Sequence, residues 1–223
     1  MIDRTHIYPA IGTMTEKKST PAKTGAGTGK TGRTWRRTPP PEHTPSTQEW
    51  VDTARQTLIE EGIVGVKIDR LAKIAGVTRG GFYWRFKNHT ELLDKLLEDW
   101  RTCNTQPMLD VLATPGTVNE RLSRLANLYI SEQGFSPAYD RAVRAWANLA
   151  ADVEAAVQEV DAIRIEAIRK VFVEGGYDED DSMIRARIVY FHQVGYYATG
   201  LQESHEQRQA LVRSYVRVLT GRD

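Results

Sequence analysis

Residues 68–86, IDRLAKIAGVTRGGFYWRF, carry apolar side chains at a spacing that predicts two short helices meeting at a tight corner. Leu71, Ala72 and Ala75 recur at three- and four-residue steps, which gives a first short helix with one apolar side. Gly76 follows the last periodic residue and can take the left-handed backbone that closes a helix, with Val77 as the apolar plug of the corner. Thr78 is placed to start the second helix, its hydroxyl accepting from an exposed amide of the first turn. Phe82 and Phe86, four apart, then face the same side as Leu71 and Ala75. Thr78, Arg79, Gly81, Tyr83, Trp84 and Arg85 are left pointing outward. Two arginines and two aromatics with polar tips, without an acid among them, suit a DNA groove, where arginine reaches guanine edges or phosphate and a Tyr hydroxyl bonds phosphate.

The run GVTRGGFYWRFKNHTELL, with the helix before it, resembles the signature of the TetR-type (tetracycline-repressor-like) transcriptional regulators over residues 48–97. A Gly-Val-Thr corner, a Tyr two residues after the glycine pair and a Phe closing the helix occur together; a bare helix-turn-helix pattern would be much weaker. Beyond Asp99 the likeness is one of helix number and length alone. The resemblance implies an all-α fold whose second short helix enters the major groove of a double-stranded operator, with Thr78, Arg79, Gly80, Gly81, Tyr83, Trp84, Arg85, Lys87 and His89 at the DNA. It also implies a homodimer, a small-molecule effector, no cofactor and no catalysis. Three positions depart from the family pattern. Lys67 stands where a capping Ser or Thr is usual, Arg85 replaces a common His, and His89 replaces a common Lys. Arg85 and His89 are still expected to meet phosphate, His89 as a largely neutral and pH-sensitive contact at pH 7.

The rest of the chain is arranged around this motif. Residues 48–61 form a helix with Trp50 or Val51, Ala54 and Leu58 on one face, ended by Gly62, which completes a three-helix core. After Phe86, Asn88 can cap a long helix over residues 89–111, with Leu92, Leu93, Leu96, Leu97 and Trp100 apolar, and this helix couples the small bundle to the C-terminal helices. Further helices are expected over residues 118–133, from Ser136-Pro137 onward with a bend near residues 150–152 and an apolar stripe through Val153, Val157, Val160, Ile163, Ala167 and Val171, then over residues 182–202 and 205–219. The expected division is residues 1–45 as a basic extension, 46–90 as the DNA-binding domain and 91–223 as a ligand-binding and dimerisation domain.

Of 223 residues, 40% are hydrophobic and 26% charged, which suits one or two globular domains. No apolar run has the length of a membrane span or of a signal-peptide core, and Cys103 is the only cysteine, which excludes internal disulfides and cysteine-based zinc clusters. Both observations suit a cytoplasmic protein without a membrane partner. The net charge of +1 is unevenly spread: residues 1–44 hold eight Lys/Arg against three acids, residues 46–100 eight against nine, and residues 101–223 fourteen against seventeen. The first segment, rich in Thr, Gly, Pro and Lys, lacks the apolar periodicity of a fold. It reads either as a solvated tail, or a leader with Met14 the true start, or as an arm that tracks phosphates, densest at Arg33, Trp35, Arg36 and Arg37.

The last two helices bear on assembly. Ile184, Ile188, Phe191, Gly195 and Ala198 make one stripe, ending in small residues that admit a close neighbour, while the final helix carries Leu211, Tyr215 and Val218 beside a second stripe of Val212, Val216 and Leu219. A helix apolar on two sides needs a second partner, either the chain's own core or another subunit; the resemblance implies the dimer interface at Ile188, Phe191, Gly195, Ala198, Leu211, Tyr215 and Val218. Tyr129, Trp146, Phe172, Arg144 and His192 are the candidate effector contacts, although aromatics at helical spacing equally suit plain core. Residues 178–181 are four acids that suit a helix N-terminus better than a metal site, and no catalytic motif occurs. The expected protein is an all-α, homodimeric regulator, a repressor released from a pseudo-palindromic operator by an effector. The alternatives are an effector-independent DNA-binding repressor, or an all-α ligand-binding bundle or enzyme.

Overall fold

The computed structural model describes residues 44–201 and 203–221, so the basic cluster at Arg33 to Arg37 lies outside the described residues. Among the described residues the regular elements are all helical: α1 (Thr47–Glu61), a 3-10 turn (Ile63–Gly65), α2 (Ile68–Ile74), α3 (Arg79–Phe82), α4 (His89–Ala113), α5 (Val118–Ser131), α6 (Pro137–Ala147), α7 (Ala151–Glu174), α8 (Glu179–Thr199) and α9 (His205–Thr220).

Most helix starts are written locally. Ser46 and Glu49 form a reciprocal capping box on α1, as do Thr117 and Glu120 on α5 and Ser204 and Gln207 on α9. Asn88 caps α4 by accepting from the Glu91 amide at 2.9 Å, and Ser136 caps α6 ahead of Pro137 in its first turn. Asp178 caps α8 from within the acidic run, accepting from the Asp181 amide, and no group of three or more His, Cys, Asp or Glu able to hold a metal ion occurs among the described residues. Each such cap is worth about 1 kcal/mol. Lys67 provides no side-chain cap, as its chemistry predicts, but neither does Thr78. The α2–α3 corner is held instead at the other end. Gly76 has φ 69°, the Val77 amide donates to the Ala72 carbonyl at 3.0 Å and the Gly76 amide to Lys73 at 3.3 Å, a double closure that only a left-handed residue permits. The expected bend after α6 is a break, with Asn148 to Ala150 separating two helices.

Two hydrophobic clusters fill the interior. One runs from Trp50, Leu58, Leu71 and Phe82 in α1–α3 through Leu96 and Trp100 of α4 to Tyr139, Val143 and Val157 of α6 and α7. The other joins Met108 of α4 and Leu125 of α5 to Phe172, Tyr190 and Val216 of α7, α8 and α9. Packing therefore continues across residue 90, and α4 and α7 belong to both clusters. At about 1.5–3 kcal/mol for each large buried side chain, α4 cannot shift its first half without disturbing its second.

Candidate nucleic-acid interface and ligand cavities

Leu71, Ala72, Phe82 and Phe86 of the motif are buried, while Ala75 and Val77 are half-buried. The Phe82 ring meets Trp50 edge-on at 5.4 Å and stacks on Phe86 at 5.1 Å, so α3 is pressed against α1 by aromatic contact. That seating fixes what faces out. Thr78, Arg79, Gly80, Tyr83, Trp84, Arg85 and Lys87 are exposed and Gly81 is half-buried; Trp84 is 82% exposed, far beyond what packing explains for the largest apolar side chain. A Cβ at Gly80 would sit 3.5 Å from Thr78 Oγ1 and one at Gly81 3.6 Å from Val77, ordinary contacts, so internal packing does not require either glycine. Their bareness instead lets something outside approach the backbone closely.

The polar groups of this face are loosely held. Arg79 lies 3.4 Å from Asp69 Oδ2 and 3.4 Å from the Tyr83 hydroxyl, an exposed arrangement worth little in water and easily exchanged for phosphate or a base edge. The Thr78 hydroxyl, making no cap, is free to meet an outside oxygen. Arg85 donates from Nε to the Pro45 carbonyl at 3.0 Å, leaving its two terminal nitrogens for phosphate. His89 departs from expectation. Its Nε2 is 2.7 Å from the Val66 carbonyl, which can only accept, so the ring donates inward and pins the start of α4 to the turn before α2. Nε2 thus ties the ring to the protein, and any contact of His89 with DNA is left to Nδ1.

The candidate effector residues do not converge. Arg144, Tyr129 and Tyr190 line a cavity of about 490 Å³ among α5–α8, whereas His192, again with Tyr129, lines an apolar cleft of about 250 Å³ between α5, α8 and α9. Trp146 and Phe172 line neither; both are buried in the hydrophobic clusters. Burial and the nearby Arg208 lower the His192 pKa against an opposing pull from Glu203, so the ring is neutral at pH 7 and offers one donor and one acceptor.

A buried polar network that the sequence reading missed forms one wall of the larger cavity. Asp140 accepts from Trp100 Nε1 (3.1 Å), Arg164 Nη1 (3.0 Å) and Arg144 Nε (2.8 Å), while Arg144 also holds Asp161 at 3.0 and 2.6 Å. The Tyr190 hydroxyl donates to Asp161 at 2.6 Å and accepts from both arginines. Burial, only partly offset by those cations, pushes the Tyr190 pKa to about 12 and keeps it a neutral donor. The signal was available: the buried stripe of α7 runs Val153, Val157, Val160, Arg164, Ile168, Val171, with an arginine at a core position, whereas Ile163, expected inside, is exposed.

On α8 and α9, Ile188, Phe191, Leu211, Tyr215 and Val218 are all large, apolar and exposed, as is the small Ala198, while Val212 and Val216 on the other stripe of α9 are buried. A Cβ built on Gly195 meets nothing within 4 Å. Such a face on a single chain exceeds ordinary scattered surface apolarity.

Residues 51–96 match the family model for bacterial regulatory proteins, tetR family. Among curated relatives, the uncharacterized HTH-type regulator TtgW of Pseudomonas putida is 36% identical over 50 residues, 22% of this chain and 37% of that protein. The HTH-type regulator AcrR of Shigella flexneri is 35% identical over 51 residues, 23% and 24% of the two chains. This chain therefore matches only about a quarter to a third of those relatives' length. Over longer stretches the likeness is structural: reduced E. coli NemR aligns with TM-score 0.64 at 17% identity, covering 78% of this chain and 96% of that one. FadR of Bacillus subtilis, solved in complex with stearoyl-CoA, aligns with TM-score 0.58 at 17% identity, covering 78% and 98%.

Proposed function

We propose that this chain, a TetR/AcrR-type DNA-binding regulator by its helix-turn-helix segment and its all-helical fold, acts as a homodimeric repressor that a small molecule releases from its operator. The observation that carries the DNA-binding part is the exposed face of α3 and of the turn that follows it, with Arg79 on the helix and Tyr83, Trp84 and Arg85 in the turn, over a side locked by the contacts of Phe82 with Trp50 and Phe86. One such short helix spans too few base pairs to single out a site, so the proposal requires two copies on a two-fold axis and a pseudo-palindromic operator. The exposed stripes of α8 and α9 are the surface that supports this pairing.

Release by an effector rests on the larger cavity and its connection to α4. Asp140 in the cavity wall holds Trp100, and its neighbour Tyr139 reaches Asp99, so a ligand that moves α6 moves the middle of α4. A ligand produces that shift only if it binds the DNA-bound and released forms with different affinity. The B. subtilis FadR structure, which shares this fold, is in complex with stearoyl-CoA, and that supports reading this chain as one that takes a ligand. Selection from a random-sequence duplex pool, followed by gel shifts with and without a small-molecule cell extract, tests the reading. Enrichment of a pseudo-palindrome and its loss on adding extract are expected. Absence of any enriched sequence would overturn the DNA-binding part; enrichment that no extract affects would leave a repressor without an effector.

A further inference from the structure

The apolar cleft between α5, α8 and α9 lies apart from the larger cavity to which release is assigned. Leu125, Val212 and Val216 in its lining are buried, whereas Ile188, Leu211 and Tyr215 are exposed and form its rim. At about 250 Å³ it is a space roughly 6 Å across, whereas a helix with its side chains is about 10–12 Å across, so a helix of another copy can cover the rim but cannot enter. A small molecule can. One side of the cleft is aromatic: the His192 ring lies 4.8 Å from Tyr215 and 6.5 Å from Tyr196, which suits a flat ring system.

The charged groups at this cleft are already engaged. Arg208 donates from Nη2 to the Tyr129 carbonyl and to the Tyr197 hydroxyl, both at 3.3 Å, its Nη1 lies 3.8 Å from Glu132, and its guanidinium sits over the Tyr196 ring at 4.5 Å. Glu203 faces the Tyr196 hydroxyl. A ligand with a charge of its own would leave water for an apolar lining that has no free counter-ion to offer. Gln193 is different. It lines this cleft and the larger cavity, its Nε2 is buried, and no described residue offers that nitrogen an acceptor within hydrogen-bonding distance. The Tyr197 hydroxyl is near, but it already donates to the Tyr129 carbonyl at 2.7 Å and accepts from Arg208. An amide nitrogen carries two hydrogens, so at least one remains for an acceptor on a ligand. Leaving such a buried donor unpaired costs more than an ordinary hydrogen bond contributes, which makes it a strong selector.

We propose that this cleft is a second small-molecule site, which takes an uncharged aromatic compound of naphthalene-like size whose hydrogen-bond acceptor meets Gln193 Nε2, and which a partner copy closes. The ligand class follows from the cleft alone; the closure rests on the pairing through α8 and α9 proposed above. Because the rim belongs to the pairing face, bound compound and partner each cover apolar surface that the other leaves open. Each therefore raises the affinity of the other by the same factor. A compound bound here strengthens pairing, whereas one in the larger cavity acts on α4.

The test titrates the full-length chain with prodan, an uncharged dimethylaminonaphthalene ketone whose emission moves to the blue on leaving water. Two comparators share its ring system, one without the ketone and one with a carboxylate in its place. Prodan should bind with a blue shift, and both comparators at least about tenfold more weakly. In Gln193→Leu the preference for prodan over the ketone-free ring should vanish while that ring binds at least as well as before; a preference that survives would overturn the assigned contact. Ala126→Phe fills the cleft and should abolish the blue shift, whereas Ala145→Phe, in the larger cavity, should leave it. The reverse result would put the compound in the larger cavity and overturn the site. Circular dichroism checks the fold of each variant, and Gln193→Leu decides even where Ala126→Phe does not fold. Sedimentation equilibrium should show the dimer dissociation constant falling at least about threefold with prodan at saturation. No change would overturn the closure, a chain that stays monomeric at every concentration would overturn the closure together with the pairing it rests on, and a chain that does not bind prodan would overturn the site.

Discussion

Arg55 on α1 and Asp99 on α4 meet fork to fork, Nε to Oδ2 at 2.9 Å and Nη2 to Oδ1 at 2.6 Å. The Tyr139 hydroxyl on α6 lies 3.1 Å from the same carboxylate and 2.7 Å from the Leu96 carbonyl, and its ring lies under the Arg55 guanidinium at 5.6 Å. Three helices are thus joined at one largely buried carboxylate, and one of them, α1, packs against α2 of the recognition corner. Arg55→Met removes two charge-assisted bonds and leaves Asp99 with the Tyr139 hydroxyl and the weak Cys103 thiol contact at 3.7 Å. It should cost about 2 kcal/mol and lower Tm by about 4–8 °C, as read by thermal denaturation. A Tm equal to that of the unaltered protein would show that the joint carries no stability.

On the DNA face the consequences separate by chemistry. Tyr83→Phe removes a hydroxyl suited to phosphate and should weaken all duplexes to a similar extent, while Arg79→Ala or Trp84→Ala should change which sequences are preferred. Each lost base contact is worth about 1–3 kcal/mol of discrimination. Because these three side chains are exposed, their loss should leave the thermal transition in place. Unaltered affinity and preference in all three variants would remove α3 and the turn after it from the interface.

Gly195 gives a clean test of pairing. Nothing in its own chain lies within 4 Å of a Cβ there, so Gly195→Leu fits the isolated subunit and replaces a poor helix former with a good one. In a two-fold dimer built on α8 and α9 the bulk is added from both sides of the axis. Light scattering should show a folded monomer or a misaligned dimer that binds the selected operator poorly. Full operator binding by a monomeric variant would end the assignment of this face.

The Asp140 network should appear in the acid limb of stability. Burial pushes the Asp140 carboxyl upward, but Arg164 and Arg144 outweigh that and hold its pKa below the ordinary value. With the folded pKa depressed, its contribution is complete above the unfolded value of about 3.9 and is lost as pH falls through the folded one. Asp140→Asn should cost about 3–5 kcal/mol near neutrality, because Arg164 keeps its charge in a buried site without its counter-ion. Urea titrations between pH 3 and 7 should show that the difference between the two proteins shrinks on acidification. A constant difference would mean that the carboxylate's charge is not what stabilises the site.

The sequence by itself determined several helix starts and the closing glycine of the recognition corner. The Gly76-Val77 closure, the Asn88 cap and the Ser136-Pro137 start were all legible because their partners lie within five residues, where backbone dihedrals alone bring donor to acceptor. The composition of the α3 face was legible for the same reason, since Phe82 and Phe86 fix which side is inner. Only the tertiary structure decided what each face meets. His89 turned inward because the Val66 carbonyl, 23 positions away, is brought to it by the packing of α4 on the motif. Trp146 and Phe172 went to core and Arg164 took a core position on α7 because Asp140, Thr105 and the Asn104 carbonyl converge there from other helices. Helical periodicity specifies an angle around one axis and carries no information about the group on the opposing helix. A buried arginine is tolerated only where packing supplies an opposite charge and enough acceptors, and that is a property of several segments at once.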